Sequence, residues 1–487
     1  MPVEAIATTS APRLWSRRKI LLIFLVPPLL LLIFLVAYDE RLEPAPDLVL
    51  AHPGASLASG QNGLAMLHAA WDPLPEVDRN ILTQWHYMLQ ERYLWDDGLV
   101  KRLNPSGRDL RQDLTDALGA PEWVEQLRTV RDFLDNKNDL PNSCFAAMTA
   151  TAMQKARGDE RQPAISLIRD LRRLAARQFQ GSWSWAGLRV AMWRTQRAMD
   201  FTCRMVAEGG FNELELAELA SIWGSEDLER SHFANATAGE ALFLAAMVSD
   251  EAVKEYRFGY WERHGAIYPS VSNAMWQRYL GLMIQPCATM NEAHRILRSV
   301  REGALATSKS REGTLFDALQ KSRSPDQGWS MIMNPNAGGK FFRQTYLIFP
   351  SLVLETNSRL HLFSIRAMRV WIALRRWQQG HEGKLPAGLT ELVPDYLASI
   401  PHDPWDDQPL RWDAKEKVIF GTGTDWISDA PMAADLERQW ISIKMEGSLE
   451  YKNVALRFDL PPPATPTVAW PSPLLVPKKQ PAPKSGP

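Results

Sequence analysis

The chain has 487 residues, 45% of them hydrophobic and 23% charged, which is the composition of a packed globular protein and excludes a disordered or fibrous one. Lys and Arg number 55 against 56 Asp and Glu, a net charge of −1, so no global field draws the chain to nucleic acid or to an acidic partner. The three cysteines, Cys144, Cys203 and Cys287, lack the short spacing of a zinc site and read as buried small hydrophobes; one disulfide is allowed and none is required.

The first element is Ile20–Tyr38, nineteen residues without a charge that follow the basic cluster Arg13, Arg17, Arg18 and Lys19. At about 1.5 Å per residue it is roughly 28 Å long, the thickness of a bilayer's hydrocarbon core, and it is predicted to span as a single helix. Residues 1–19 carry four Lys/Arg against Glu4, whereas Asp39, Glu40, Glu43 and Asp47 crowd the far end. The basic side therefore stays cytoplasmic and the bulk is expected outside the inner membrane, periplasmic in a Gram-negative cell. A cleaved signal peptide is the alternative; this apolar core is longer than the usual one and no Ala-x-Ala follows it, which favours a retained anchor. Pro27-Pro28 predicts a kink near its middle.

Residues 39–61 are rich in Pro, Ala, Gly and Ser and read as an extended stalk. Residues 62–380 then follow helical periodicity, with strand-like alternation nearly absent. Ile165, Ile168, Leu171, Ala175 and Phe179 recur on one face, while Arg169, Arg172, Arg173 and Arg177 are placed largely on the other. Leu188, Met192, Met199 and Cys203 continue the apolar pattern, and Ile365, Met368, Trp371 and Ile372 repeat it later. Asp109 is predicted to open a helix, Gly209-Gly210 to end one, and Pro141-Asn142 to separate two. The fold class expected is mainly α: a multi-helix antiparallel bundle or array behind one transmembrane helix, closed by a small antiparallel β-sheet. Cys144–Gly181 has the outline of one tetratricopeptide-like helix pair, but no second copy recurs at constant spacing, so a regular solenoid is not expected.

Composition shifts near Gly380, and residues 381–460 read as a small α+β module. Leu385, Leu389, Leu392 and Val393 suggest a short amphipathic helix interrupted by Pro394 and Pro401, and Asp406-Asp407 a turn. Pro409–Trp412 and Val418–Gly421 read as a hairpin joined by Asp413–Lys417, with further strands at Trp440–Met445 and Asn453–Asp459. Residues 461–487 are proline-dense and expected to be disordered or polyproline-like.

The order LP-x2-L-x2-LVP-x-YL-x2-IP-x-DPW-x3-PLRW within Leu385–Asp429 resembles the carboxy-terminal module of uncharacterised membrane-anchored bacterial proteins. Asn62-Gly63-Leu64 after the stalk and Gly239-Glu240-Ala241 on a long helix also resemble that group, for which no activity is implied. The same module is similar to the end of the type II secretion major pseudopilin, where a DPW turn leads into a small sheet whose following acidic loop binds calcium. By position His402-Asp403-Pro404-Trp405 would be the turn, and Thr424-Asp425-Trp426 to Ser428-Asp429 the loop. Calcium takes six to eight oxygen ligands, and the two carboxylates of Asp425–Asp429 are too few to assign a site. No Gly-Phe-Thr-Leu-x-Glu sequence precedes Ile20, so pilus assembly is not expected.

No catalytic, cofactor-binding or metal-binding residue is assigned. The nine histidines form no His-Glu-x-x-His, and Glu262-Arg263-His264 and His381-Glu382 lack a partner at helical spacing. Gly338-Gly339-Lys340 lacks the glycine and Ser/Thr of a phosphate loop and reads as a turn before a helix near Arg343. Ser16-Arg17-Arg18-Lys19 matches Ser-x-x-Lys only in the cytoplasmic tail. Trp183/Trp185 and Trp371/Trp377 are read as core packing, with a ligand groove as the alternative. The stripe Arg366, Arg369, Arg375 and Arg376 is read as a solvated helix face, with lipid headgroups or an acidic partner as the alternative. The expectation is a membrane-anchored, non-enzymatic envelope protein that binds another protein. The alternative is a hydrolase of an envelope polymer, which requires carboxylates such as Glu240, Asp250 or Glu251 to converge with aromatics.

Overall fold

The computed structural model describes residues 26–27, 41–46, 48, 59–71, 110–125, 145, 148–149, 151–152, 155–249, 285–303, 336, 339, 347, 349–422, 441–445 and 452–459. The helices are α1 (Gly63–Trp71), α2 (Leu110–Gly119), α3 (Arg161–Gly181), α4 (Trp185–Gly209), α5 (Glu213–Ile222), α6 (Arg230–Ser249), α7 (Pro286–Gly303) and α8 (Phe349–Gly380). Strands β1 (Arg411–Asp413), β2 (Val418–Thr422), β3 (Ile441–Met445) and β4 (Lys452–Arg457) form one antiparallel sheet in the order β1-β2-β4-β3. The protein is thus mainly helical with a small antiparallel sheet, as the periodicity predicts.

The chain divides into two compact units. One comprises residues 1–46, 244–296 and 320–349, and the other 47–243, 297–319 and 350–487. In the first, Asn291 of α7 donates from its amide to the Arg41 carbonyl and accepts from the Glu43 N–H, holding part of the predicted stalk on a helix. There too the Asn336 side chain accepts from Gln285 N and Thr289 Oγ1 at the start of α7.

The second unit is built on the hairpin α3–α4. All five predicted apolar residues of α3, from Ile165 to Phe179, are fully buried, each contributing about 1.5–3 kcal/mol for the larger side chains. The two helices run antiparallel, as Arg172 reaches Thr195 near the middle and Arg157 reaches Glu208 at the far end. Ser184 caps α4 by accepting from Gly187 N, and Gly210 ends it at φ 60°, a left-handed turn that glycine adopts freely. Asn212 and Glu215 then form a capping box that restarts the chain as α5.

The core does not stop where the composition changes. Phe363, Met368, Trp371 and Leu374 of α8 share one apolar cluster with Leu171 and Met199 and with Leu389, Leu392, Trp405, Ile419 and Phe458 of the terminal module. The predicted hairpin is present, pairing Arg411 with Phe420 and Asp413 with Val418, and the later strands fall at the predicted positions. The amphipathic helix expected around Leu385–Val393 is only the 3-10 turn Leu389–Leu392, with Val393 exposed, because Pro386 and Pro394 confine it.

Among the described residues no helix is long and apolar enough to cross a membrane. The predicted span Ile20–Tyr38 lies outside the described residues apart from Val26 and Pro27, as do Cys144, Pro141-Asn142, Asp250, Glu251, Arg343, the loop Asp425–Asp429 and the tail 461–487.

Candidate functional site

Three polar clusters lie within the second unit, and the most buried surrounds the first turn of α4. Glu122 and Gln61 exchange backbone hydrogen bonds with their neighbours, Gly63 N donating to Glu122 O and Glu122 N to Gln61 O. Asn62 completes this lock: its Oδ1 accepts from Leu64 N and Val124 N at 3.1 Å, and its amide donates to Val124 O at 2.8 Å. The short segment after Pro121 is thereby fixed, and Glu125 points into the protein with 3% of its surface exposed. Its carboxylate accepts from Trp183 N and Ser184 Oγ, both at 3.0 Å, and from Gln178 Nε2 at 3.4 Å. Gln178 in turn accepts from the fully buried Arg194 at 2.9 Å.

A second carboxylate enters from α6. Glu240 accepts from Trp185 N at 2.8 Å, so two acids bracket the three residues Trp183–Trp185 where a helix N-terminus offers free N–H groups. Two glycines make room: a side chain at Gly187 would strike the Glu125 carboxylate, and one at Gly239 would strike the Trp183 carbonyl. Burial outweighs these hydrogen bonds and pushes both acids from the ordinary 4.5 up to about 7, with Glu125 adding repulsion to Glu240.

The second cluster holds the loop 223–229. Arg172 of α3, predicted on the solvent face, is 4% exposed; it pairs with Asp227, donates to Ser225 O at 3.1 Å and lies over the Trp223 ring at 4.6 Å. From α8, Arg369 donates to Trp223 O and Gly224 O, and Arg366 pairs with Glu226 at 2.8 Å and donates to His402 O. Burial, followed by the nearby Arg172 charge, drops His361 to about 3, so a neutral imidazole sits edge-on to Phe179. Farther along α8, Arg375 donates to Phe458 O and covers its ring, and Arg376 pairs with Glu213. Of the stripe read as a solvated face, Arg366, Arg369 and Arg375 are therefore clamps on backbone carbonyls, and Arg376 keeps a surface ion pair with the half-exposed Glu213. Periodicity assigned these arginines to solvent because it sees charge and not the carbonyls that the 223–229 loop and Phe458 bring to them.

The third cluster is the DPW turn. Asp403 is fully buried and accepts from Trp405 N at 3.0 Å and from Thr422 N and Oγ1 at 2.6 and 3.1 Å. Arg411 bridges Asp403 and Asp406, so a guanidinium supplies the positive charge between these two carboxylates. Desolvation raises the Asp403 pKa against the hydrogen bonds from Trp405 and Thr422.

Of the acids considered from sequence, Glu240 does meet aromatic neighbours. Trp183 and Trp185 are 4% and 2% exposed, so they pack the junction and line no open groove there; Trp371 is fully buried and Trp377 half-buried. Glu125, Gln178 and Arg194 carry no motif in the sequence, whereas Asp403 lies in the DPW turn. The one sequence signal available was the Ser184–Gly187 cap, which marks where unsatisfied N–H groups would attract an acid. Cys203 is buried against Met368, and Cys287 is half-buried. Among the described residues no His, Cys, Asp and Glu group could hold a metal ion.

No protein-family model, no curated protein and no solved structure matches this chain.

Proposed function

We propose that this protein is a single-pass inner-membrane protein, anchored through Ile20–Tyr38 with its amino terminus cytoplasmic, whose periplasmic body binds another envelope protein without catalysis. The observation that carries the reading is the fate of the buried charges. Glu125, Glu240 and Asp403 accept from backbone N–H groups, and Arg172, Arg369 and Arg375 donate to backbone carbonyls. Charges used this way fix loops and helix ends in a rigid scaffold, whereas a catalytic acid or base must reach a substrate atom. The flanking charge asymmetry supports the orientation.

The competing reading is a hydrolase of an envelope polymer, which draws on the Glu125–Glu240 pair, two acids pushed to about 7 beside Trp183 and Trp185. Both carboxylates are buried and engaged by the backbone N–H groups of those residues, which favours a structural use.

A photocrosslinking residue placed at Leu214 or Leu242, apolar side chains that are 81% and 42% exposed, tests the binding reading in intact cells. One recurrent protein adduct, unchanged when Glu125 or Glu240 is made Gln, is expected. Polymer cleavage by the purified chain, abolished in Glu240→Gln and accompanied by no adduct, would establish the hydrolase instead. Anchoring is tested separately: the chain should keep its apolar segment and pellet with membranes after carbonate extraction. A mature amino terminus downstream of Ala37 refutes the anchor.

A further inference from the structure

Glu125 and Glu240 approach the same backbone stretch from opposite elements, but their surroundings differ. The segment 122–125 brings Glu125 to three donors, Trp183 N, Ser184 Oγ and Gln178 Nε2, and α4 brings the buried cation Arg194 that lowers its energy when charged. From α6, Glu240 receives Trp185 N, and the charged group acting on it is Glu125, which repels it. Helix α3 contributes neutral Gln178. Among the described residues, then, the junction contains two carboxylates, one cation and no second positive group acting on the pair. One negative charge is matched by Arg194; a second has no counter-charge in a region where the protein interior screens poorly.

We propose that this junction is a proton-operated latch: with a proton on Glu125 or Glu240, α6 is fastened to the start of α4, and loss of that proton loosens the fastening. The step is a simple ionisation, in which a carboxyl O–H gives its proton to water and leaves the second carboxylate bearing the charge. Helix α6 is seated closely, since Gly239 allows the Trp183 carbonyl to touch its backbone, so repulsion between the two acids acts directly on that contact. Both acids are raised from 4.5 to about 7 in the folded protein. The folded junction therefore holds a proton that the open one has lost between about pH 4.5 and 7. The latch is tightest on the acid side of that window, weakens as pH rises through it, and is weakest above about 7. A periplasmic body experiences the pH of the cell's surroundings, which is where such a device would act; the latch itself does not depend on the binding reading.

The test is amide hydrogen exchange on the full-length chain in detergent, expressed as protection factors corrected for the intrinsic pH dependence of exchange. Between about pH 5.5 and about pH 8.5, protection at Trp183, Trp185 and Gly187 should fall by about 100-fold, the size set by shifts of two pK units or more. Amides of α8 around Ile372, which belongs to a different apolar cluster from Val124, Trp183 and Ala238 beside the junction, should hold their protection. Glu240→Gln, whose amide oxygen still accepts from Trp185 N, should keep the acid-side protection at every pH. Glu125→Gln provides a second variant should Glu240→Gln misfold. A flat profile in the native chain, or a pH-dependent fall that persists in a folded Gln variant at Glu240 or Glu125, overturns the latch.

Discussion

Replacing Arg172 by Met tests the internal-clamp account most directly, because Met keeps the length and apolar stem of the side chain while removing its charge. In the native protein the guanidinium pairs with Asp227, donates to Ser225 O at 3.1 Å and lies 4.6 Å above the Trp223 ring. Its side chain is 4% exposed and that of Asp227 is 16% exposed. Removing one partner of a buried pair costs about 3–5 kcal/mol, since the other charge is left uncompensated. The Met side chain returns about 1 kcal/mol of apolar burial, which leaves an expected loss of about 3 kcal/mol. Asp227→Asn should cost about 2 kcal/mol, and the double variant no more than the worse single one, giving a coupling of about 2 kcal/mol. Denaturant unfolding followed by far-ultraviolet circular dichroism measures all four corners of this cycle. If Arg172→Met costs under about 1 kcal/mol and the two changes add within about 0.5 kcal/mol, the pair is an ordinary surface contact and the clamp reasoning fails.

Asn62→Ala removes three hydrogen bonds to the 62–64 and 124 backbone and should cost about 2–3 kcal/mol; full stability would show that water replaces them at no penalty. Gly239→Ala puts a methyl group into the Trp183 carbonyl and should lower stability by about 2 kcal/mol or more, whereas Gly60→Ala, with open space around it, should be near neutral in the same melt. Asp403→Ala leaves the N–H groups of Trp405 and Thr422 without their acceptor and should cost about 3 kcal/mol. Because its module shares the core of α8, proteolysis should then report loosening of Phe363 and Trp371 as well as of the hairpin; a change confined to the hairpin would contradict one shared core.

What could be read from the sequence was what one chain segment decides by itself. The apolar stripe Ile165–Phe179, the stop at Gly209-Gly210 and the Arg411–Thr422 hairpin each follow from local spacing and turn chemistry, and each is present. The clusters around Glu125 and Arg172 were not readable because each is assembled from distant segments, unlike the local DPW turn. Glu125 meets Trp183 across 58 residues, Glu240 meets Trp185 across 55, and Arg369 meets Trp223 across 146. A charged residue at an intermediate helical position has two solutions, solvent or a carbonyl delivered by another segment, and periodicity by itself selects the first. Two motifs that carry the resemblance, Asn62-Gly63-Leu64 and Gly239-Glu240-Ala241, acquire a shared physical reason here. Asn62 fixes the segment that presents Glu125, Gly239 lets α6 come close enough to present Glu240, and both acids close on the same helix start. Residues more than 170 positions apart thus serve one junction, and changes at either should alter the exchange of the same amides, Trp183 to Gly187.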